Sequence, residues 1–242
     1  MAKAIIDEQN LTDIADAIRA KNGSADTYLP SEMATAIGDL PTPQTVTKGL
    51  VFSDYDSDGY PHKAEFVGTW TEIPNSYCSS AFILNSFSKN ITSLTIPEGV
   101  TTIGDNSFDS CQSLEEIILP TSLQEVKTGA FKYCQRLKSI YFPSDIIFGA
   151  IGTNQQTFRF CYDLQSVVFG GQVDRIVQIM FNGTSKIELF DFSHCSTIPP
   201  LHATNALEHK SGCVIKVPSA LLSTWQTTAV WQDLTNVVWQ GV

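Results

Sequence analysis

The sequence predicts a mainly β solenoid, built from short parallel strands that stack coil upon coil. Three observations predict it: a segment that starts at residue 91 repeats with a period of about 23 residues, each copy carries the same alternation of apolar residues, and proline ends that alternation in most copies. A repeat of this length is typical of proteins in which each unit can bury its hydrophobic edge only against the next unit.

The copies of the repeat place the same residue types at the same positions. They read ITSLTIPEGVTTIGDNSFDSCQS, LEEIILPTSLQEVKTGAFKYCQR, LKSIYFPSDIIFGAIGTNQQTFRFCYD, which has four extra residues, and LQSVVFGGQVDRIVQIMFNGTSK. Because a buried cysteine behaves as a small hydrophobe, we expect the aligned phenylalanines and cysteines to fill the core opposite the strands. The aligned columns are Pro97, Pro120 and Pro143 with Gly170; Phe108, Phe131, Phe158 and Phe181; and Cys111, Cys134 and Cys161 with Thr184.

The strand of each coil is predicted by two apolar residues, two positions apart, followed by proline or glycine. Residues two apart point to the same side of a strand, so both face the core, and proline then ends the strand. The pattern predicts a solenoid domain over residues 91–212, whose stack of strands continues to residue 217, at roughly 4.8 Å per coil. The pairs are Leu94 and Ile96, Ile117 and Leu119, Ile140 and Phe142, Val167 and Phe169, and, in two degenerate coils, Phe190 and Phe192, and Ile215 and Val217.

The position between the two buried strand residues faces solvent. Solvent-facing strand positions are usually polar, so three consecutive apolar residues at this position indicate an interaction patch. The alternative is that β-branched and aromatic residues simply suit parallel strands. Along the stack this binding-surface candidate reads Thr95, Ile118, Tyr141, Val168 and Asp191, and then Lys216.

Over residues 91–186 the repeat resembles the BspA-type leucine-rich repeat family, whose units read roughly LxxIxxPxxVxxIGxxAFxxC. The aligned proline, phenylalanine and cysteine columns carry this resemblance. It implies a right-handed, leucine-rich-repeat-like solenoid that is used for adhesion or protein contact, and it implies no catalytic residues.

Residues 213–242 are expected to form a C-terminal cap, because an open solenoid end exposes its hydrophobic core. Ser219, which follows a proline, is the expected N-cap of a short helix that carries Trp225. Trp231 and Trp239 supply further apolar surface. Carbohydrate binding is the alternative role of these tryptophans.

The sequence of residues 1–41 predicts a small helical hairpin. Residues 42–90 are predicted to form a linker and a β-hairpin with an N-terminal cap. Two helices of about ten residues bury too little surface to stand alone, so we expect this hairpin to dock on its own copies, on another protein or on the solenoid. Its IADAIR segment is similar to N-terminal segments of tail and fibre proteins from phages and prophages of Gram-positive bacteria. The apolar stripe consists of Leu11, Ile14 and Ile18 facing Met33 and Ile37.

An acidic stretch matches the ligand pattern of a calcium loop. Asp54, Asp56 and Asp58 alternate, a glycine follows, and Glu65 occupies the closing position. The flanking segments read as strands, however, and Pro61 falls within the loop. We therefore expect a plain hairpin turn and no cofactor, with Ca²⁺ as the alternative.

Composition excludes several classes of function. The formal net charge is −10 and no stretch concentrates basic residues, so nucleic acid is not an expected partner. The six cysteines show no CxxC spacing, and adjacent His194 and Cys195 would point to opposite faces of an extended segment. Without a phosphate loop, GxSxG or HExxH motif, we expect no enzyme.

The expected function is that of a phage or prophage virion protein, a tail-fibre or baseplate component. No window is apolar enough for a secretory signal or a membrane span, so we expect synthesis in the host cytoplasm and no membrane insertion. The helical hairpin would contact other virion proteins or its own copies in a homo-oligomer, and the solenoid would contact a host cell-surface protein or glycan. The alternatives are a bacterial BspA-like surface adhesin and a calcium-dependent carbohydrate-binding module.

Overall fold

The polypeptide follows a stack of coils made of short strands in a computed structural model that describes residues 4–6, 48–79, 90–149 and 155–242. The predicted hairpin within residues 1–41 therefore lies almost entirely outside the described residues. The strands are β1 (Ala4–Ile6), β2 (Lys48–Tyr55), β3 (Pro61–Gly68), β4 (Glu72–Ile73), β5 (Ser93–Thr95), β6 (Thr102–Ile103), β7 (Glu116–Ile118), β8 (Glu125–Val126), β9 (Ser139–Phe142), β10 (Ile147–Phe148), β11 (Ser166–Phe169), β12 (Leu189–Asp191), β13 (Cys213–Val217) and β14 (Val237–Gly241).

One strand from each coil joins a parallel ladder, as the repeat predicted, and this ladder is divided into two sheets between β7 and β9. β5 pairs with β7, and β9, β11, β12, β13 and β14 pair in that order. The register places equivalent repeat positions side by side: Leu94 lies beside Ile117, and Ile140 lies beside Val167. A shift by one residue would turn these buried side chains to solvent, so core burial fixes the register.

The ladder begins earlier than the repeat. β2 and β3 form an antiparallel hairpin, and β3 then pairs in parallel with β5, which places Ala64 beside Leu94. Phe52, Ala64 and Phe66 are buried in the same core as the repeats. The β-hairpin predicted within residues 42–90 is therefore present as β2 and β3, and its second strand also begins the parallel ladder, while β1 pairs antiparallel with β2.

A second sheet closes the other side of the coils. It consists of the two-residue strands β4, β6, β8 and β10 in parallel. Each of these strands turns one apolar residue into the core, and the isolated bridges from Ile146 to Val173 and from Ile176 to Leu201 continue the same side. The inward residues are Ile73, Ile103, Val126 and Phe148.

A file of phenylalanines runs through the core, and its predicted burial is confirmed. Phe108, Phe131, Phe158 and Phe181 are each 0% exposed. The ring centroids of successive members are 5.6, 5.6 and 5.2 Å apart, and neighbouring rings are within 10° of parallel. This spacing follows from one phenylalanine per coil at a fixed register.

The cysteine column lies beside the phenylalanines and consists of free thiols. The Cys134 thiol donates to the Phe108 carbonyl (3.3 Å), and the Cys161 thiol donates to the Phe131 carbonyl (3.1 Å). Burial raises the pKa of both thiols well above its usual value. These cysteines therefore pack in the core as neutral thiols, in agreement with the packing role predicted from their register.

The C-terminal segment adds another strand instead of ending at β13. A 3₁₀ turn, Ser219–Leu221, precedes the helix Leu222–Thr227. The prediction that Ser219 is the N-cap was wrong, because Leu221 occupies the cap position and no side chain caps the helix. The Ser219 N–H instead donates to the Val242 carbonyl (3.0 Å), which ties this turn to the end of β14.

Two of the C-terminal tryptophans are buried. Trp225 and Trp231 pack on Phe192, with ring centroids 5.3 and 5.5 Å from it. The Trp231 indole N–H donates to the Pro199 carbonyl (2.8 Å), so its polar edge is satisfied. Such burial leaves neither ring free to stack on a sugar.

Candidate functional site

The outward face of the strand ladder holds the predicted binding-surface residues in one row. The ladder places Thr95 beside Ile118, Tyr141 beside Val168, and Asp191 beside Lys216. Each lies between two buried strand residues, and alternation therefore turns it away from the core. The row thus lies on two sheets, with Thr95 and Ile118 on one and the residues from Tyr141 to Lys216 on the other.

The centre of this row is apolar and the most exposed. Ile118 is 52% exposed and Tyr141 is 54% exposed, while Val168 is half-buried. Ile118 and Tyr141 each stand between strand residues that are at least nine-tenths buried. Their backbone positions are thus fixed by the core, and their side chains are presented on a rigid surface.

The ends of the row are polar. The Asp191 carboxylate lies 3.9 Å from the Lys216 ammonium group and accepts a hydrogen bond from the Ser193 N–H (2.9 Å). At the other end, Thr95 lies beside Glu65 of β3. The apolar centre is therefore bordered by charged groups at both ends of the row.

A second outward row runs beside the first. Glu116 and Ser139 are exposed, and Ser166 is half-buried. Next to this row, the Glu115 carboxylate accepts from Lys138 and lies 2.9 Å from Arg136. The hydrogen bond from Lys138 lowers the pKa of Glu115, so this side of the face carries fixed charges.

Tyr141 owes its position to a glycine that the sequence analysis aligned without interpreting. Gly170 occupies the position that is proline in three other coils, and a Cβ there would lie 2.7 Å from the Tyr141 Oη and 2.9 Å from the Phe142 carbonyl. The hydroxyl group of Tyr141 therefore rests over Gly170. The signal was present as the one glycine in a proline column.

The acidic stretch forms the tip of the β2–β3 hairpin, as the plain-turn interpretation predicted. The Asp56 Oδ1 accepts hydrogen bonds from the Asp58 N–H (3.0 Å) and the Tyr60 N–H (2.9 Å). Asp54 lies 3.6 Å from the Lys63 ammonium group, and Glu65 lies within β3, paired with Val51. In the described ranges, no three carboxylate, histidine or cysteine side chains are grouped to hold a metal ion. The structure thus does not assemble the calcium-loop ligand set.

The neighbouring His194 and Cys195 do not form a nucleophile and base. The Cys195 thiol is buried and donates to the Gly171 carbonyl (3.4 Å), and burial raises its pKa to about 11. The His194 ring is exposed and its Nδ1 contacts the Ser193 hydroxyl (3.2 Å). A neutral buried thiol cannot act as a nucleophile near neutral pH.

The predicted assembly residues Leu11, Ile14, Ile18, Met33 and Ile37 lie outside the described residues. Their role in attachment stays a prediction. Within the part of the chain that the structure covers, no helix has the length and apolar character that crossing a bilayer requires.

The repeat and the fold both have matches among known proteins. A family model described as a BspA type leucine rich repeat region matches residues 79–204 in six copies. Among solved structures, the chain resembles the pneumococcal vaccine antigen PcpA, with 17% identity and a TM-score of 0.59 over 80% of this chain and 47% of that chain. It also resembles a leucine rich repeat protein of T. pallidum, with 17% identity and a TM-score of 0.44 over 78% of this chain and 92% of that chain. No curated protein matches the sequence.

This chain therefore spans about half the length of the PcpA chain that it matches. At 17% identity the likeness concerns the fold alone.

Proposed function

Because the chain belongs to the BspA type leucine-rich repeat family, we propose that it is a non-enzymatic adhesin on a bacterial surface and that it binds a host protein or glycan. The proposal rests on the adhesion and protein contact that this family implies, together with the outward face of the ladder. The proposed function involves no catalytic residues and no cofactor.

The observation that carries the proposal is the exposed apolar centre of the outward row. Ile118 and Tyr141 are each more than half exposed on adjacent coils, and Val168 continues them. An exposed hydrophobic group is unfavourable in water unless a partner covers it, so a contiguous apolar patch with a polar border is typical of an interaction site.

The composition of the border favours a protein partner. Binding interfaces between proteins combine an apolar centre with a polar rim, and tyrosine is enriched among their strongly contributing residues. Tyr141 provides a rigid aromatic group with a hydroxyl at its tip, and Ser139 and Ser166 lie beside it on the second row. Glu116 and Asp191 supply acidic groups that suit a basic surface on the partner.

The test compares two exposed apolar surfaces of the same molecule. Labelled protein is applied to cultured host epithelial cells, and bound protein is measured by flow cytometry over a concentration series. We expect the double variant Ile118→Ser with Tyr141→Ser to bind at least about tenfold more weakly, which corresponds to about 1.4 kcal/mol. The control is Ile147→Ser, which removes a residue that is 49% exposed on the second sheet. Unchanged binding by the double variant would overturn the proposal.

The role in a phage or prophage particle is a separate prediction. It depends on residues 1–41, which resemble tail-fibre segments and lie almost entirely outside the described residues. Antibody labelling of intact producing bacteria distinguishes the two roles: labelled cells support surface display, whereas a chain found only in purified particles supports the virion role.

A further inference from the structure

Two carboxylates on the outward face of the ladder have no cation beside them. Glu116 lies two residues before Ile118 on β7, and Glu65 lies beside Thr95. Both side chains are exposed. Within the described ranges, neither carboxylate takes part in an ion pair or a side-chain hydrogen bond. These two positions therefore present free negative charge.

The cations described along the same face are already paired. Each of them lies 3.9 Å or less from a carboxylate, so it contributes little free positive charge. The charge that remains on the face is negative, like the net charge of −10 of the whole chain, and it favours a cationic partner. The pairs are Lys63 with Asp54, Arg136 and Lys138 with Glu115, Lys186 with Asp163, Lys210 with Glu188, and Lys216 with Asp191.

Small side chains beside the apolar row leave room for an elongated partner. Ser139 and Ser166 lie side by side on the second row, next to Tyr141 and Val168 of the first. On their other side, the longer side chains of residues 138 and 165 are exposed. The two serines therefore form the floor of a shallow groove that runs along the stack of coils.

The spacing of the coils determines which conformation of a partner fits this groove. The Phe131 ring lies 5.6 Å from that of Phe158, and the Phe158 ring lies 5.2 Å from that of Phe181. These are the coils that carry Ile118, Tyr141 and Val168, and the spacing is kept where the ladder divides between β7 and β9.

An α-helix matches this spacing, because its turns repeat about every 5.4 Å. Each turn of a helix that lies along the groove can therefore contact one coil. The residues on one side of an extended chain repeat about every 6.6 Å, so they lose alignment with the coils after two repeats.

We infer that the partner of this face is a basic amphipathic helix of a host protein. Its apolar stripe lies on Ile118, Tyr141 and Val168, and its lysine or arginine side chains lie near Glu116 and Glu65. An apolar helix face in a groove is a recurring mode of protein recognition, and complementary charge orients the two partners. The inference rests on the proposed adhesin function and names the class of partner that it binds.

Three synthetic peptides of about 18 residues, or about five helical turns, test the inference. The first has leucines at positions i, i+4, i+7 and i+11 with lysine and glutamine elsewhere, so it forms a basic amphipathic helix. The second has the same composition, but its leucines alternate with polar residues as in a strand. The third is the first peptide with glutamate in place of lysine.

Fluorescence anisotropy of each labelled peptide, titrated with the full chain, gives its Kd. We expect the first peptide to bind at least about tenfold more tightly than the second and the third. Equal affinity for the first and second peptides would overturn the helical conformation of the partner. Equal affinity for the first and third peptides would overturn its basic character.

Variants of the chain show where the first peptide binds. Ile118→Ser with Tyr141→Ser should raise its Kd at least about tenfold, because the apolar contact is lost. Glu116→Lys should raise Kd about fivefold and Glu116→Gln about twofold. The control Glu125→Lys makes the same change in charge on β8 of the second sheet and should leave Kd unchanged. Thermal melting confirms that each variant is folded.

A Kd that responds equally to Glu116→Lys and Glu125→Lys would overturn the inference, since binding would then follow net charge alone. The adhesin function fails separately. If the double variant loses binding to host cells and the first two peptides bind equally, the helical partner is wrong and the adhesin function stands. If the first peptide binds at Ile118 and Tyr141 while the double variant still binds cells normally, the adhesin function is overturned.

Discussion

Phe131 occupies the middle of the phenylalanine file, between the rings of Phe108 and Phe158. Its side chain is fully buried, and its ring stacks on one neighbour in each adjacent coil. Removing this ring leaves a cavity that the strands on either side cannot close, because their spacing is fixed by the hydrogen bonds of the ladders. A single residue of the file thus supports the packing of three coils.

Phe131→Ala should lower the free energy of unfolding by about 3 to 5 kcal/mol, the usual range for a buried phenylalanine. Urea denaturation followed by circular dichroism measures the change. The matched control is Ile147→Ala, whose side chain is half exposed on the second sheet, and which should cost about 0.5 kcal/mol or less. Equal denaturation midpoints for Phe131→Ala and the unmodified chain would contradict the core assignment.

Tyr141 and Gly170 show how a single replacement shapes the candidate site. In other coils a proline ring fills the position of Gly170, and it would occupy the space that the Tyr141 hydroxyl takes here. The missing side chain therefore decides where the most exposed aromatic residue of the face lies.

The β2–β3 hairpin performs two structural tasks as an element. Its strands begin the ladder through the pairing of β3 with β5, and its tip is closed by the Asp56 carboxylate. A carboxylate oxygen that already accepts two backbone N–H groups stabilises the turn without a metal ion.

Asp56→Ala should lower the free energy of unfolding by about 1 kcal/mol, with or without calcium, because two hydrogen bonds to the turn are lost. Millimolar Ca²⁺ should leave the melting temperature of the unmodified chain unchanged, since a ligand stabilises only in proportion to its binding. Scanning calorimetry measures both effects, and Asp58→Ala, which changes an exposed residue, serves as the control. A saturable calcium signal that disappears in Asp56→Ala would show that the loop does bind the ion.

The described residues share one core, which runs from the β2–β3 hairpin to the C-terminal helix. Each coil is stabilised by its neighbours, so we expect the described part of the chain to unfold as a unit. The N-terminal segment is not part of this repeat. Its strand β1 pairs with β2, and the predicted attachment residues follow β1 in the sequence.

Deleting residues 7–41 should separate folding from assembly. The deletion keeps β1 and leaves residues 42–47 to join it to β2, a connection short enough for an antiparallel pair in which Ile6 lies beside Leu50. We expect a soluble protein that melts cooperatively and no longer self-associates, as measured by light scattering. Large assemblies that persist in the deletion variant would place the attachment site elsewhere.

The repeat pattern in the sequence was enough to predict the coil. A period of about 23 residues, two inward strand residues per copy and one phenylalanine column are local patterns, and they fixed the strands, the register and the buried face. The outward row from Thr95 to Lys216 followed from the same alternation. These features could be predicted because the same residue types recur at the same positions in every copy of the repeat.

Features that involve two different segments without a shared repeat depend on how the chain packs in three dimensions. The pairing of β3 with β5, the contact of Tyr141 with Gly170 and the position of β14 at the sheet edge each depend on which chains become neighbours in space. The Ser219 cap failed for the same reason, since the Ser219 N–H bonds to the Val242 carbonyl at the far end of the segment. A repeat predicts the contacts between like coils, whereas the contacts at its ends and at its exceptions depend on packing that no single segment encodes.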